Sequence, residues 1–137
     1  MDLMDSMAQA AKGMKAQGIR MRVISENMAN AETTGAKPGQ DPYQRKTVTF
    51  KSVLDHTSGQ YTVDIDKIKS TKSEYEMKYD PSHPSADDKG YVKMPKINPL
   101  IEMMDMKEAQ RSYEANLGVI EMAKGMLMRT LDTLSRS

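Results

Sequence analysis

The sequence predicts a mainly α protein with a small β part, in which long N- and C-terminal helices form a coiled-coil layer around a small antiparallel β insertion. Three observations predict it. Apolar residues recur at alternating steps of three and four near both ends of the 137-residue chain. Short β-prone runs replace that rhythm in the middle. A content of 38% hydrophobic and 5% aromatic residues is too lean for a thick globular core.

The first seam runs through Leu3, Met7, Ala10, Met14, Gln17, Met21, Ile24, Met28 and Ala31, with Gln17 its only polar member. At 1.5 Å rise per residue, such a helix extends roughly 45 Å. Gly35, suited to a left-handed cap, and Pro38 predict that the helix ends by Thr34. Residues 1–34 are accordingly assigned to the N-terminal helix, 35–96 to a linker and β-rich segment, and 97–137 to the C-terminal helix.

Asn98-Pro99 opens the second helix, an N-cap followed by proline where its missing N–H costs nothing. Its seam is Met106, Ala109, Tyr113, Asn116, Ile120, Ala123, Leu127, Thr130 and Leu134, with Leu117 and Leu131 alongside. A second row, Ala115, Val119, Met122 and Met126, widens the apolar arc to about 200°, against roughly 100° for a helix with one packed face. One partner helix cannot cover that arc.

In between, Gln44 to Val53, Gln60 to Ile68 and Glu74 to Tyr79 read as about three strands of one small sheet, punctuated by Gly59, Asp80-Pro81 and Pro84. Lys46, Lys51, Asp64, Asp66, Lys67 and Lys69 make its outer face polar. A sheet of this size needs a helix or a neighbouring molecule to pack on. The stretch from Thr34 to Pro42 is the best linker.

Composition narrows the function. Twenty basic against nineteen acidic side chains leave a net charge of +1, which recommends neither nucleic acid nor an anionic membrane as partner. The absence of cysteine excludes disulfides and thiolate chemistry. Acidic residues at Asp2 and Asp5 do not suit a cleaved secretory signal, and no apolar run approaches the ~18 residues that span a bilayer. Direct membrane insertion is not expected, and any export would proceed without a cleaved signal.

Fourteen methionines raise the question of soft-metal binding. Met7, Met14, Met21 and Met28 recur at seven, which makes them packing positions that adapt to non-identical neighbours. Asp80, His83, Asp87 and Asp88 form the one cluster with metal-ligand chemistry, but Pro81 and Pro84 interrupt it, and a solvated turn is the expected reading. His56, near Asp55, Ser52 and Ser58, reads as a surface loop. No cofactor and no catalytic residue is implied. Gly13, Gly18, Gly118 and Gly125 each cost roughly 1 kcal/mol against alanine inside a helix, and Gly118 and Gly125 could admit a neighbouring backbone on the outer face. Asn27 and Asn30, three apart beside Met28 and Ala31, read as a polar register-setting pair between packed helices.

Asn27-Met28-Ala29-Asn30-Ala31-Glu32-Thr33-Thr34-Gly35 resembles the Asn-x-Ala-Asn-x-x-Thr-x-Gly motif of bacterial flagellar rod and hook proteins. Ser112-Tyr113-Glu114-Ala115-Asn116 is similar to their C-terminal motif. Pro42 to Lys46, and Tyr79 to Val92 with Met94-Pro95, narrow the resemblance to proximal-rod members of the basal-body rod family and extend it over essentially the whole chain. One departure is Ala36, where many members carry an aromatic residue. The resemblance implies a structural subunit of the proximal rod, exported through the flagellar type III apparatus and assembled in the periplasm with copies of itself and other rod proteins, near the rod-base adaptor. It implies a helical tube whose inner layer is built from the terminal helices. On it, Asn27, Asn30, Thr34, Gly35, Tyr113, Ala115 and Asn116 are expected to serve subunit assembly. The alternatives are another axial or adaptor component of the same family, or a small metal-binding module.

Overall fold

A computed structural model describes residues 2–72 and 74–137. Its elements are α1 (Leu3–Ala29), β1 (Lys46–Asp55), β2 (Gln60–Ser70), β3 (Tyr75–Tyr79), β4 (Tyr91–Pro95) and α2 (Pro99–Ser135). Two long terminal helices therefore flank a β insertion, as the sequence predicts. The insertion differs in detail, being two antiparallel hairpins, β1–β2 and β3–β4, in place of one three-stranded sheet. The strand missing from the sequence reading is β4. Its five residues lie inside a run of turn-forming residues, and its partner β3 supplies the order that local propensity does not.

The chain divides into two compact units. The first comprises residues up to Met21, Thr49–Lys67 and Lys107–Ser137; the second comprises Arg22–Val48 and Ile68–Met106. This division cuts across both helices.

In the first unit, Asp2 caps α1. Its carboxylate accepts from the Leu3 N–H, and Asp5 reaches back to the Asp2 N–H. The buried apolar residues of this unit are alanines, Ala10, Ala16, Ala109 and Ala123. Small side chains allow backbones to come close, and α1 and α2 do so as an antiparallel pair. Arg20 meets Glu108 at 3.4 Å, and a turn or two further on Gly13 faces Asn116. Carried along, that register places Leu3 opposite about residue 126, so the last turns of α2 outrun α1. The seam methionines Met7, Met14 and Met21 are half-buried, as are Ile120 and Leu127. Leu134 is 67% exposed, because at its level there is no α1 left to cover it. The tip of the β1–β2 hairpin lies along another face of α1, where Lys12 Nζ meets Asp55 Oδ2 at 2.7 Å and Gln9 donates to Gln60.

In the second unit, Val23, Ile24 and Val92 are buried and Met28 is half-buried. The α1 helix ends at Ala29, ahead of the Thr34 limit, because the Asn30 side chain donates to the Glu26 carbonyl at 2.8 Å and Thr33 N–H bonds the Asn30 carbonyl. Gly35 is consequently not the left-handed helix cap that the sequence suggests, since it lies beyond the last helical turn. The left-handed glycines are Gly39, Gly59 and Gly90. At the start of α2, Asn98 Oδ1 accepts from Leu100 N–H at 3.0 Å, the expected N-cap.

Candidate assembly site

The seven residues expected to serve assembly fall in two groups. Asn27, Asn30, Thr34 and Gly35 belong to the second unit; Tyr113, Ala115 and Asn116 belong to the first.

Asn27, on the last full turn of α1, is 1% exposed and engages partners within its own chain. Its Oδ1 accepts from the Lys46 N–H at 2.9 Å and from the Tyr43 hydroxyl at 3.0 Å, while its Nδ2 donates to the Lys46 carbonyl at 2.8 Å and to Glu102 Oε2 at 3.4 Å. A carboxamide has about that much hydrogen-bonding capacity. Within the single chain Asn27 clamps the returning strand and reaches Glu102 on α2, whereas Asn30 closes the end of its own helix. Burial raises the Tyr43 pKa, which keeps the hydroxyl proton available for Asn27.

Behind Asn27 lies a network that the sequence reading missed. Glu102 is 1% exposed and pairs with the Arg45 guanidinium, which also approaches Asp105 at 3.8 Å. A buried carboxylate survives only when paired and hydrogen-bonded, and both conditions are met. The signal was present, because Glu102 precedes Met106 by four and Ala109 by seven, on the same seam. Its burial turns the first turns of α2 inside out, so that Leu100, Ile101, Met103 and Met104 face outward.

Gly35 has a steric role. A methyl group there would lie 2.6 Å from Gln40 Cβ and 2.8 Å from the Gln40 carbonyl oxygen. The Gln40 carboxamide in turn accepts from the N–H groups of Ala36 and Lys37 at 3.0 and 3.1 Å, so Ala36 contributes backbone to this turn. Thr34 is half-buried beside it. The Gly35 carbonyl accepts a hydrogen bond from the Ser85 hydroxyl, which ties the N-terminal motif to the middle block.

That block builds a turn. Asp80 Oδ1 accepts from the Ser82 N–H and hydroxyl, His83 Nδ1 from the Ser85 N–H, and Asp87 Oδ1 from the N–H groups of Lys89 and Tyr91. The hydrogen bond from Ser82 holds the Asp80 pKa below its ordinary value. Among the described residues, no group of three or more His, Cys, Asp or Glu side chains is gathered as a metal site would require. Gly90 takes φ 83°, and Tyr79 packs edge-on against Tyr91 at 5.3 Å.

In the first unit, Asn116 donates to the Ser112 carbonyl at 3.0 Å and abuts Gly13, where a methyl group would stand 2.8 Å from its Nδ2. Tyr113 is half-buried, and Ala115 is exposed. Ala115 continues into the row Val119, Met122 and Met126, all exposed, with Met122 at 61%. A Cβ at Gly118 or Gly125 would meet nothing within 4 Å. No helix among the described residues is long and apolar enough to cross a membrane.

Terminal helices that leave a row of large apolar side chains uncovered, with a β insertion held to them by polar clamps, have the features of a structural subunit built to pack against neighbours. The family described as Flagella basal body rod protein matches residues 7–37, and that described as Flagellar basal body rod FlgEFG protein C-terminal matches residues 88–133. The flagellar basal-body rod protein FlgC of Agrobacterium fabrum is 49% identical, covering 98% of this chain and 99% of the relative. That of Bacillus subtilis is 39% identical over 93% and 95%, and that of Salmonella typhimurium 36% identical over 89% and 90%. The chain belongs to the flagellar basal-body rod protein FlgC family and is a structural rod subunit.

Proposed function

We propose that the chain polymerises with copies of itself and with other rod proteins into the helical tube of the proximal rod, which transmits torque and walls the export channel. In this reading it is made in the cytoplasm, passes through the flagellar export apparatus without a cleaved signal, and assembles in the periplasm against the rod-base adaptor. One observation carries the proposal: Val119, Met122 and Met126 stay exposed after α2 has packed on α1. Covering them contributes about 3 kcal/mol. A heterologous contact that does not close yields a filament, and the adaptable thioethers suit non-identical neighbours.

The assembly residues have different tasks in this reading. Asn27, Asn30, Thr34 and Gly35 shape the end of α1 and the turn after it, and so present the surface that a neighbour meets. Tyr113, Ala115 and Asn116 flank the uncovered row. Deleting the gene tests the proposal, with motility and purified basal bodies as readouts. Loss of motility and of complete rods is expected; a motile strain with complete rods contradicts it.

A further inference from the structure

The first unit carries a groove of ≈ 570 Å³ bounded by α1, β2 and α2. None of its lining side chains is charged, and Gln9, Gln17, Tyr61, Ser112, Asn116 and Val119 define its walls. Gln17 is the lone polar member of the α1 seam, and its Oε1 is buried without a hydrogen-bond partner. An orphaned buried acceptor is destabilising until a donor arrives. The groove is therefore incomplete in the single chain.

The same unit also carries an unmatched surface. The seam face of α2 that packs on α1 continues past it as Leu127, Leu131 and Leu134, with Thr130 on its edge, and Leu131 and Leu134 are exposed. At about 100° per residue, Arg129, Asp132 and Arg136 lie on the opposite side, so this face is free of charge. A charge-free helix face suits a charge-free groove, whereas a charged face would lose its hydration there. The Thr130 hydroxyl, now donating to the Met126 carbonyl at 2.9 Å, can rotate towards Gln17 Oε1.

We propose that this groove receives the last three turns of α2 from a second copy of the chain, seated on Gln17 and Asn116. The incoming face continues the seam that packs on α1 within its own chain, so the contact extends an existing interface. Groove and tail are different surfaces, and each copy that fills one groove leaves its own open. The contact therefore propagates. The inference rests on the assembly reading above.

The chain has no cysteine, which gives disulfide mapping no background. Ser112→Cys and Leu134→Cys, placed in separate copies and co-expressed, are oxidised with diamide in purified basal bodies. A disulfide-linked dimer is expected when both variants are present and in neither alone. The pair Val119→Cys and Leu131→Cys repeats the measurement should the first disturb folding. Incorporation of both variants without a mixed dimer, or a dimer from Leu134→Cys alone, overturns the groove assignment while leaving the rod reading intact. Absence of the unmodified chain from purified rods overturns the rod reading, and this inference with it.

Discussion

Asn27 closes its carboxamide on both backbone groups of Lys46, accepting from the N–H at 2.9 Å and donating to the carbonyl at 2.8 Å. A helical side chain thus takes the place that a neighbouring strand would hold at the start of β1. Replacing it leaves both groups unpaired and Glu102 short of a donor. Asn27→Ala is expected to cost about 2–4 kcal/mol, and Asn30→Ala, which touches only its own helix end and Thr33, about 1 kcal/mol. Urea denaturation of the two variants measures the difference.

Glycine substitutions should separate by environment. Gly35→Ala drives a methyl group into Gln40 and is expected to destabilise by about 1–3 kcal/mol. Gly18→Ala meets nothing within 4 Å and should stabilise the helix by about 0.5–1 kcal/mol. Thermal melts of both variants check the opposite signs.

The pair Gly13 and Asn116 supports a double-mutant cycle. Gly13→Ala forces the Asn116 carboxamide aside and is expected to cost about 1–2 kcal/mol, most of it returned when Asn116→Ala is added. Additive losses in the cycle would place the cost elsewhere.

The hairpin tip should loosen in acid. The hydrogen bond from Lys12, aided by the Thr57 N–H, lowers the Asp55 pKa from 3.8 to about 2. The unfolded chain therefore takes up this proton first, so the stabilisation is complete above about 4 and is lost as pH falls towards 2. An NMR titration should place the Asp55 midpoint near the lower value, and Lys12→Met should move it upward. An unchanged midpoint would remove the ion pair from the account.

Much of the fold was legible in the sequence because its helices are written in periodicity. Asn98-Pro99 marked the start of α2, and the wide arc through Val119, Met122 and Met126 foretold the face left uncovered. The strand β4 and the end of α1 were less legible, since both depend on partners distant in sequence or on a side chain turning back to its own backbone. The spacing of Asn27 beside Met28 suggested a pairing between packed helices, whereas most of its hydrogen bonds go to the segment that follows α1. Its partners Tyr43 and Lys46 lie across a turn whose path no local pattern reveals. Glu102 was missed although it extends the seam by one step, because a carboxylate at a core position becomes intelligible only when Arg45 is found opposite it.

The most direct measurement is the incorporation of Met122→Asp into rods. Met122 is 61% exposed in the single chain, so the charge should leave helicity and stability nearly unchanged. Covered by a neighbour, the same charge would be buried without a partner. The expected result is a folded, exported chain that is missing from purified basal bodies in non-motile cells; complete rods containing the variant, in motile cells, would contradict assembly through this face.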